Sequence, residues 1–242
     1  MMAPTIRDWT AKFLFGGPRS TENLIGVCIH TTENDPSTPA ENVAQYQLDT
    51  ESGSYHTLAD RKGILRENTA DWITWSTGNK GNYLLMHLSF VARAAMTRSQ
   101  WLAEDAMLRN GAWEVAQWCK RFEWPVKQVS VSGLPGITTH DSTRAWGSTD
   151  HTDPGKNFPW DVFLRYVNEE IAGQSAPTAQ KEDVMATDFN SKTSAADGTE
   201  HTYGQLLRYT DGRVFTMESE TLPRLEKKLD QIIKALGDKS AE

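Results

Sequence analysis

The chain has 242 residues, 38% apolar and 24% charged, enough to bury a core without disulfides and too balanced for wholesale disorder, collagen-like repeats or continuous coiled coil. Its formal charge of −7 leaves no basic stripe to grip nucleic acid or an anionic membrane. No run reaches the roughly 20 apolar residues of a membrane span, and Met1–Gly17 lacks the apolar centre of a secretion signal.

Leu24–His30 (LIGVCIH) is a short β-rich run and predicts a buried strand. Pro39–Leu48 suits a helix opened by proline. Ser54–Ala59 and Ile64–Leu65, joined by the turn Asp60-Arg-Lys-Gly63, predict a hairpin. Tyr83–Ala92 reads as a second long strand. Ser99–Phe122 places Leu102, Ala106, Trp113, Ala116 and Phe122 at helical spacing among charged neighbours, and Val126–Val131 alternates as a strand does. Phe158–Ile171 is an amphipathic helix that Gly173 should stop. Interleaved strands and helices predict an α/β domain over 1–172. Cys28 and Cys119, outside any CxxC pair, are expected as free core thiols.

All nine Trp lie between Trp9 and Trp160, whereas Gly173–Thr202 has no Trp, Tyr, Leu or Ile and cannot bury enough surface to offset its ordering entropy. That stretch, 173–202, reads as a linker. Beyond it, 203–242 predicts a small module: a hairpin around Asp211-Gly212, then a helix with Leu222, Leu225, Leu229, Ile232 and Leu236 on one seam. The seam suits packing on the module itself or a homo-oligomer through this C-terminal helix.

Five of the six histidines fall between His30 and His151. A lone strand histidine is usually structural, but His30 ends an apolar strand and enters a polar loop, where an α/β sheet exposes its site. A second cluster, Thr138 to Gly155, holds His140, His151 and Asp153 in a glycine-punctuated loop that leads into a helix. Zinc catalysis needs three N, O or S ligands with a fourth position open. His30, His140 and Asp153 would supply two imidazoles and a carboxylate, with His151 competing for the place of His140.

Three segments in order, Ile25-Gly-Val-Cys-Ile-His30-Thr-Thr, then Ser54-Tyr-His-Thr-Leu-Ala-Asp-Arg-Lys-Gly63, then His140 with Thr152-Asp153-Pro-Gly155 and Phe158-Pro-Trp160, resemble the type-2 N-acetylmuramoyl-L-alanine amidases, which include phage endolysins and peptidoglycan recognition proteins. The resemblance spans about Thr5–Ala172. It implies a central mixed β-sheet flanked by helices, and Zn2+ on His30, His140 and Asp153. It also implies hydrolysis of the amide between N-acetylmuramic acid and L-alanine in bacterial peptidoglycan. Tyr55 matches the tyrosine that faces the metal in phage members, and His151 stands where many relatives place a catalytic lysine; either could stabilise an oxyanion. His56 fits a supporting role. The glutamate of some relatives has no counterpart in Leu84–Phe90, where Ser89 stands near its place. Trp75 and Trp146 are candidate substrate platforms.

The resemblance further implies an endolysin made in the host cytoplasm without a signal peptide, acting on the wall after release, with 203–242 as a wall-binding or oligomerising module. A non-catalytic peptidoglycan-binding module and a cytoplasmic wall-recycling amidase are the alternatives.

Overall fold

The computed structural model describes residues 3–175, 192–194 and 200–202. In chain order they form β1 (Thr5–Asp8), β2 (Gly26–Thr31), α1 (Ala40–Thr50), β3 (Thr57–Asp60), β4 (Gly63–Arg66), α2 (Gly81–Leu84) and β5 (Leu85–Phe90). There follow α3 (Arg98–Ala103), α4 (Asp105–Arg121), β6 (Gly136–Thr139), α5 (His140–Thr143) and α6 (Trp160–Ser175). The strands make one mixed sheet in the order β1-β4-β3-β5-β2-β6, in which only the β3–β4 hairpin pairs antiparallel. The α/β expectation and the mixed sheet flanked by helices are both observed.

The two central strands, β2 and β5, are buried at every position, which is why both read as near-continuous apolar runs. On one face, Val27, Ile29, Met86, Leu88 and Phe90 pack with side chains of α4 and α6, such as Leu108 and Phe163. A Cβ on Gly111 would come within 2.5 Å of the Phe90 ring, so α4 lies directly on β5 only because that residue has no side chain. On the other face Leu58, Leu65 and Val91 pack with Ala40, Val43 and Ala44 of α1. Strand side chains alternate between faces, and β2 and β5 pair Cys28 with His87 and His30 with Ser89. These four therefore share the α1 face, and they carry polarity into a sheet otherwise closed by hydrocarbon.

Asp60, almost fully buried, joins three elements. Its carboxylate accepts two bonds from Arg7 of β1 (2.9 and 2.7 Å), one from the Ala40 N–H that opens α1 (2.9 Å), and two from the turn N–H groups of Lys62 and Gly63 (2.9 and 3.1 Å). Pro39, the residue before α1, has no side-chain cap to offer, so Asp60 caps the helix from across the fold. Burial pushes the Asp60 carboxyl upward, but Arg7 and the backbone donors outweigh it and hold it below its ordinary value.

Four local expectations change. The Ser99–Phe122 helix is two helices: a Thr97/Gln100 capping box starts α3, and the backbone of Glu104, outside the helical region, separates it from α4. Val126–Val131 forms no strand; its contact with the sheet is an isolated bridge between Gln128 and Ile137, and the edge strand is β6. Tyr83–Ala92 narrows to β5, because Gly81–Leu84 closes one helical turn first. Helix α6 begins after Pro159 and runs through Gly173 to Ser175, since a lone glycine costs a helix only about 1 kcal/mol.

Both cysteines are free and buried. Among the described residues no helix is long and apolar enough to cross a membrane. The chain divides into two compact units, Met1–Pro177 and Thr178–Glu242. In the second, β7 (Lys192–Ser194) pairs antiparallel with β8 (Glu200–Thr202), within the stretch expected as a linker. The hairpin and leucine-seam helix expected over 203–242 lie outside the described residues.

Asp60→Ala is expected to lower unfolding free energy by about 3 kcal/mol, the scale for stranding one partner of a buried ion pair, as read from urea denaturation at neutral pH. Because the folded Asp60 carboxyl is held below its ordinary value, its contribution is present above about pH 4 and lost as pH falls further, so the difference between the proteins should shrink in acid.

Candidate active site

β2 and β6 are parallel neighbours, so their carboxyl ends meet at one edge of the sheet, where such folds place their sites. His30 stands at that end of β2. His140 opens α5 directly after β6, and the Thr139 hydroxyl fixes that start by accepting from the Ser142 N–H (2.9 Å). Asp153 arrives from the loop before α6; its Oδ2 accepts from the Thr31 N–H (3.2 Å) and its carbonyl from the Asp141 N–H (3.2 Å). Gly155 holds the loop there. Its φ is +87° and a Cβ would lie 2.0 Å from the Ala94 carbonyl oxygen, so only glycine fits.

The three side chains converge. His30 Nδ1 is 3.2 Å from Asp153 Oδ2 and 3.2 Å from His140 Nδ1, which is 3.0 Å from Asp153 Oδ1. All three residues are buried, and Asp153 Oδ1 has no hydrogen-bond partner despite the short approach. Donor atoms on a tetrahedral Zn2+ with bonds of 2.0–2.1 Å lie about 3.3 Å apart, close to these separations. An orphaned carboxylate oxygen beside two imidazole nitrogens fits a bound cation, and one atom from each residue lies within 4.8 Å of the others. Burial lowers the His30 imidazole to about 4, so it is neutral, as a ligand must be.

The other expected residues surround this group unequally. His151 is 63% exposed at its side chain, stacks on His140 (centroids 4.6 Å, 15°), and keeps Nδ1 3.6 Å from Asp153 Oδ1. Between the two competing histidines, the buried position beside His30 belongs to His140. The Tyr55 ring centroid lies 5.1 Å from that of His30. Trp75 is partly exposed and rests on Phe15 (5.0 Å), joined to the segment before β3 that carries Tyr55 by its N–H to Ser54 Oγ (3.1 Å). Trp146 lies under the Lys80 ammonium (4.9 Å). Neither tryptophan shares a hydrogen bond or ring contact with the His30–His140–Asp153 group among the described residues.

Two buried residues near the site escape a reading by motif. His87 meets His30 through its Nδ1 (3.0 Å to His30 Nε2). The available signal was the alternation of His87 and Ser89 in an apolar strand, in step with Cys28 and His30. Glu67 accepts the Tyr55 N–H at 2.6 Å through Oε2, while its Oε1 is buried without a partner. Burial raises the Glu67 carboxyl well above its ordinary value. A group raised on folding stabilises the protein below its unfolded value and loses that contribution as pH climbs through the folded one. Glu67→Gln, which cannot ionise, is therefore expected to gain stability relative to the parent as pH rises above about 4.5. Urea midpoints of both proteins between pH 4 and 8 measure this; parallel curves would contradict it.

From Tyr55 a cleft of about 400 Å3 runs beside α1, lined only by neutral side chains, among them Asn34, Asn42, Tyr46 and Gln47. The chain is 25% identical over 182 residues to Protein Ami of Listeria monocytogenes, covering 72% of this chain and 19% of that protein. It is 23% identical over 164 residues to the bifunctional autolysin of Staphylococcus aureus, covering 63% of this chain and 12% of that one. It thus spans less than a fifth of the length of each. Its fold is similar to the crystal structure of the Staphylococcus aureus hydrolase AmiA in complex with its ligand, with a TM-score of 0.58 and 21% identity over 72% of this chain and 87% of the other. Residues 20–156 match the family model described as N-acetylmuramoyl-L-alanine amidase, and the chain belongs to that family of enzymes.

Proposed function

We propose that this chain is a zinc-dependent peptidoglycan hydrolase that cleaves the amide between N-acetylmuramic acid and L-alanine. The observation that carries the reading is the convergence of His30 Nδ1, His140 Nδ1 and Asp153 in a family of this activity. His30, His140 and Asp153 would hold the metal. A Zn2+ there would supply Lewis acidity to the scissile carbonyl and to the attacking water.

The chain's own residues do the rest. Tyr55, beside His30, donates its hydroxyl hydrogen to the oxygen on which charge develops. Burial, together with the Asp153 carboxylate, holds the Tyr55 phenol above its ordinary range, so it remains a donor at any working pH. His151 is open to solvent on one side and stacked on His140 on the other, placed to pick up a proton and deliver it to the leaving amine. The neutral cleft beside α1 takes the peptide side of the bond through hydrogen bonds, and Trp75, next to Ser54, offers a ring to a sugar. Trp146 would serve the same purpose.

The biological setting we assign is lysis of a host from within, as an endolysin made in the cytoplasm and released to the wall. Residues 203–242, with their leucine seam, would bind wall or join copies of the chain. Expression alone should leave cells intact, and co-expression with a membrane-permeabilising protein should lyse them; lysis without the partner would contradict this setting. The convergence of His30, His140 and Asp153 favours catalysis over a binding-only role.

Dialysis against a chelator is expected to abolish release of soluble peptide from purified wall, and added Zn2+ to restore it; full activity after verified metal removal would sink the reading. Asp153→Asn should reduce release by about 100-fold or more, beyond the loss typical of outer-shell groups. His151→Ala should lower kcat by about 100-fold, the scale for one positioned acid–base group, with metal content unchanged.

A further inference from the structure

The His30 ring has a second buried contact, away from Asp153. Its Nε2 is 3.0 Å from His87 Nδ1, and His87 Nε2 is 3.0 Å from the Gly81 carbonyl oxygen. A carbonyl oxygen only accepts, so His87 Nε2 carries the hydrogen. Neutral His87 then has a bare Nδ1, which only accepts, and His30 Nε2 must donate to it. Neutral His30 is left with its lone pair on Nδ1, the nitrogen 3.2 Å from both Asp153 Oδ2 and His140 Nδ1. Each ring then keeps one N–H and one bare nitrogen, in an order set by the Gly81 carbonyl.

The bonds continue past Gly81. Its N–H donates to Asn79 Oδ1 (2.9 Å), and Asn79 Nδ2 donates to the carbonyls of Thr143 (3.1 Å) and Gly147 (2.9 Å). The Thr143 hydroxyl in turn donates to the carbonyl of His140 (2.8 Å). A Cβ on Gly81 would lie 2.7 Å from Thr77 Oγ1, so this turn is packed as well as bonded. From the other side His56 fixes His87, accepting its backbone N–H at Nδ1 (2.9 Å) and stacking on its ring (5.6 Å, 14°). A closed circuit of polar contacts thus runs from the back of one histidine to the backbone of the other.

We propose that His87 is a positioning residue for the metal centre: by accepting from His30 Nε2 it fixes the tautomer of His30 that presents a bare Nδ1, and through Gly81, Asn79 and Thr143 it ties that ring to the segment presenting His140. The inference rests on the metal-centre reading above, but its first readout needs no metal.

Nitrogen-15 NMR of the imidazoles in the full-length, metal-free protein reports the tautomers directly. His30 and His87 are both expected protonated at Nε2 and bare at Nδ1; a His30 protonated at Nδ1 overturns the proposal. This measurement needs no substitution and stands whether or not any variant folds. His87→Leu, checked for folding by thermal melting without metal, is expected to bind Zn2+ about 10–100-fold more weakly in a chelator competition, the range for loss of a group that orients a ligand. His87→Asn, whose Oδ1 takes the place of Nδ1 as acceptor, should recover most of that loss, which a purely space-filling role would not predict. Unchanged affinity in His87→Leu contradicts the proposal. So does a thiolate charge-transfer band in the Co2+ protein that disappears in Cys28→Ser, because Cys28, His30 and His87 also lie within 4.8 Å and would then be ligands themselves. A wild-type protein that binds no divalent cation at all would remove the metal-centre reading and the proposed purpose with it. The tautomer measurement separates that failure from failure of the lock.

Discussion

Two imidazole nitrogens and a carboxylate on three buried residues face one another across 3.0–3.2 Å, and the rest of the molecule is arranged around that convergence. A buried polar atom left without a partner costs about 1–3 kcal/mol, and Asp153 Oδ1 is such an atom. Electron-pair donors packed together in this way are stabilised by something positive between them. The cluster is thus unfavourable in isolation, and the same feature makes its chemistry readable.

The sheet makes this tolerable by dividing labour between its faces. Val27, Ile29, Met86, Leu88 and Phe90 bury hydrocarbon against α4 and α6, whereas Cys28, His30, His87 and Ser89 alternate onto the other face. Parallel pairing of β2 with β6 then brings His30 and His140 to the same edge although 110 residues separate them. Asp60 does comparable work at the hairpin end, tying β1, the turn and the start of α1 to one carboxylate, and so places the helix that walls the cleft beside Tyr55. The Asp60 carboxylate is fully engaged by Arg7 and by backbone N–H groups, whereas the histidine cluster leaves Asp153 Oδ1 without a partner.

Much of this was legible in the residues, for reasons that are physical. The run Leu24–His30 is apolar because β2 is buried on both faces, and His30 stands where that run enters a polar loop, the place where an α/β sheet exposes its site. The hairpin is legible because its turn needs Asp60 as an acceptor and Gly63 for a φ of +149°. His140 and His151 could not be separated by spacing, since both lie in an aperiodic loop; burial against β2 is what distinguishes them. His87 was hidden because a histidine inside an apolar strand resembles a satisfied core residue, which it also is. Alternation over Val126–Val131 predicts a strand where the chain only runs beside β6, because alternation records amphipathicity and not hydrogen-bond pairing. The split of α3 from α4 depends on backbone angles at Glu104 that no hydrophobic pattern encodes.

The central claim is that these residues serve to cut one bond, the amide joining the lactyl carboxyl of muramic acid to L-alanine. Labelling of new amino termini in digested peptidoglycan, followed by mass spectrometry, tests it most directly. The account predicts free amino groups on L-alanine alone, with glycan strands left intact and bearing unsubstituted lactyl carboxylates. New termini on any later stem residue, or new reducing ends in the glycan, would contradict it.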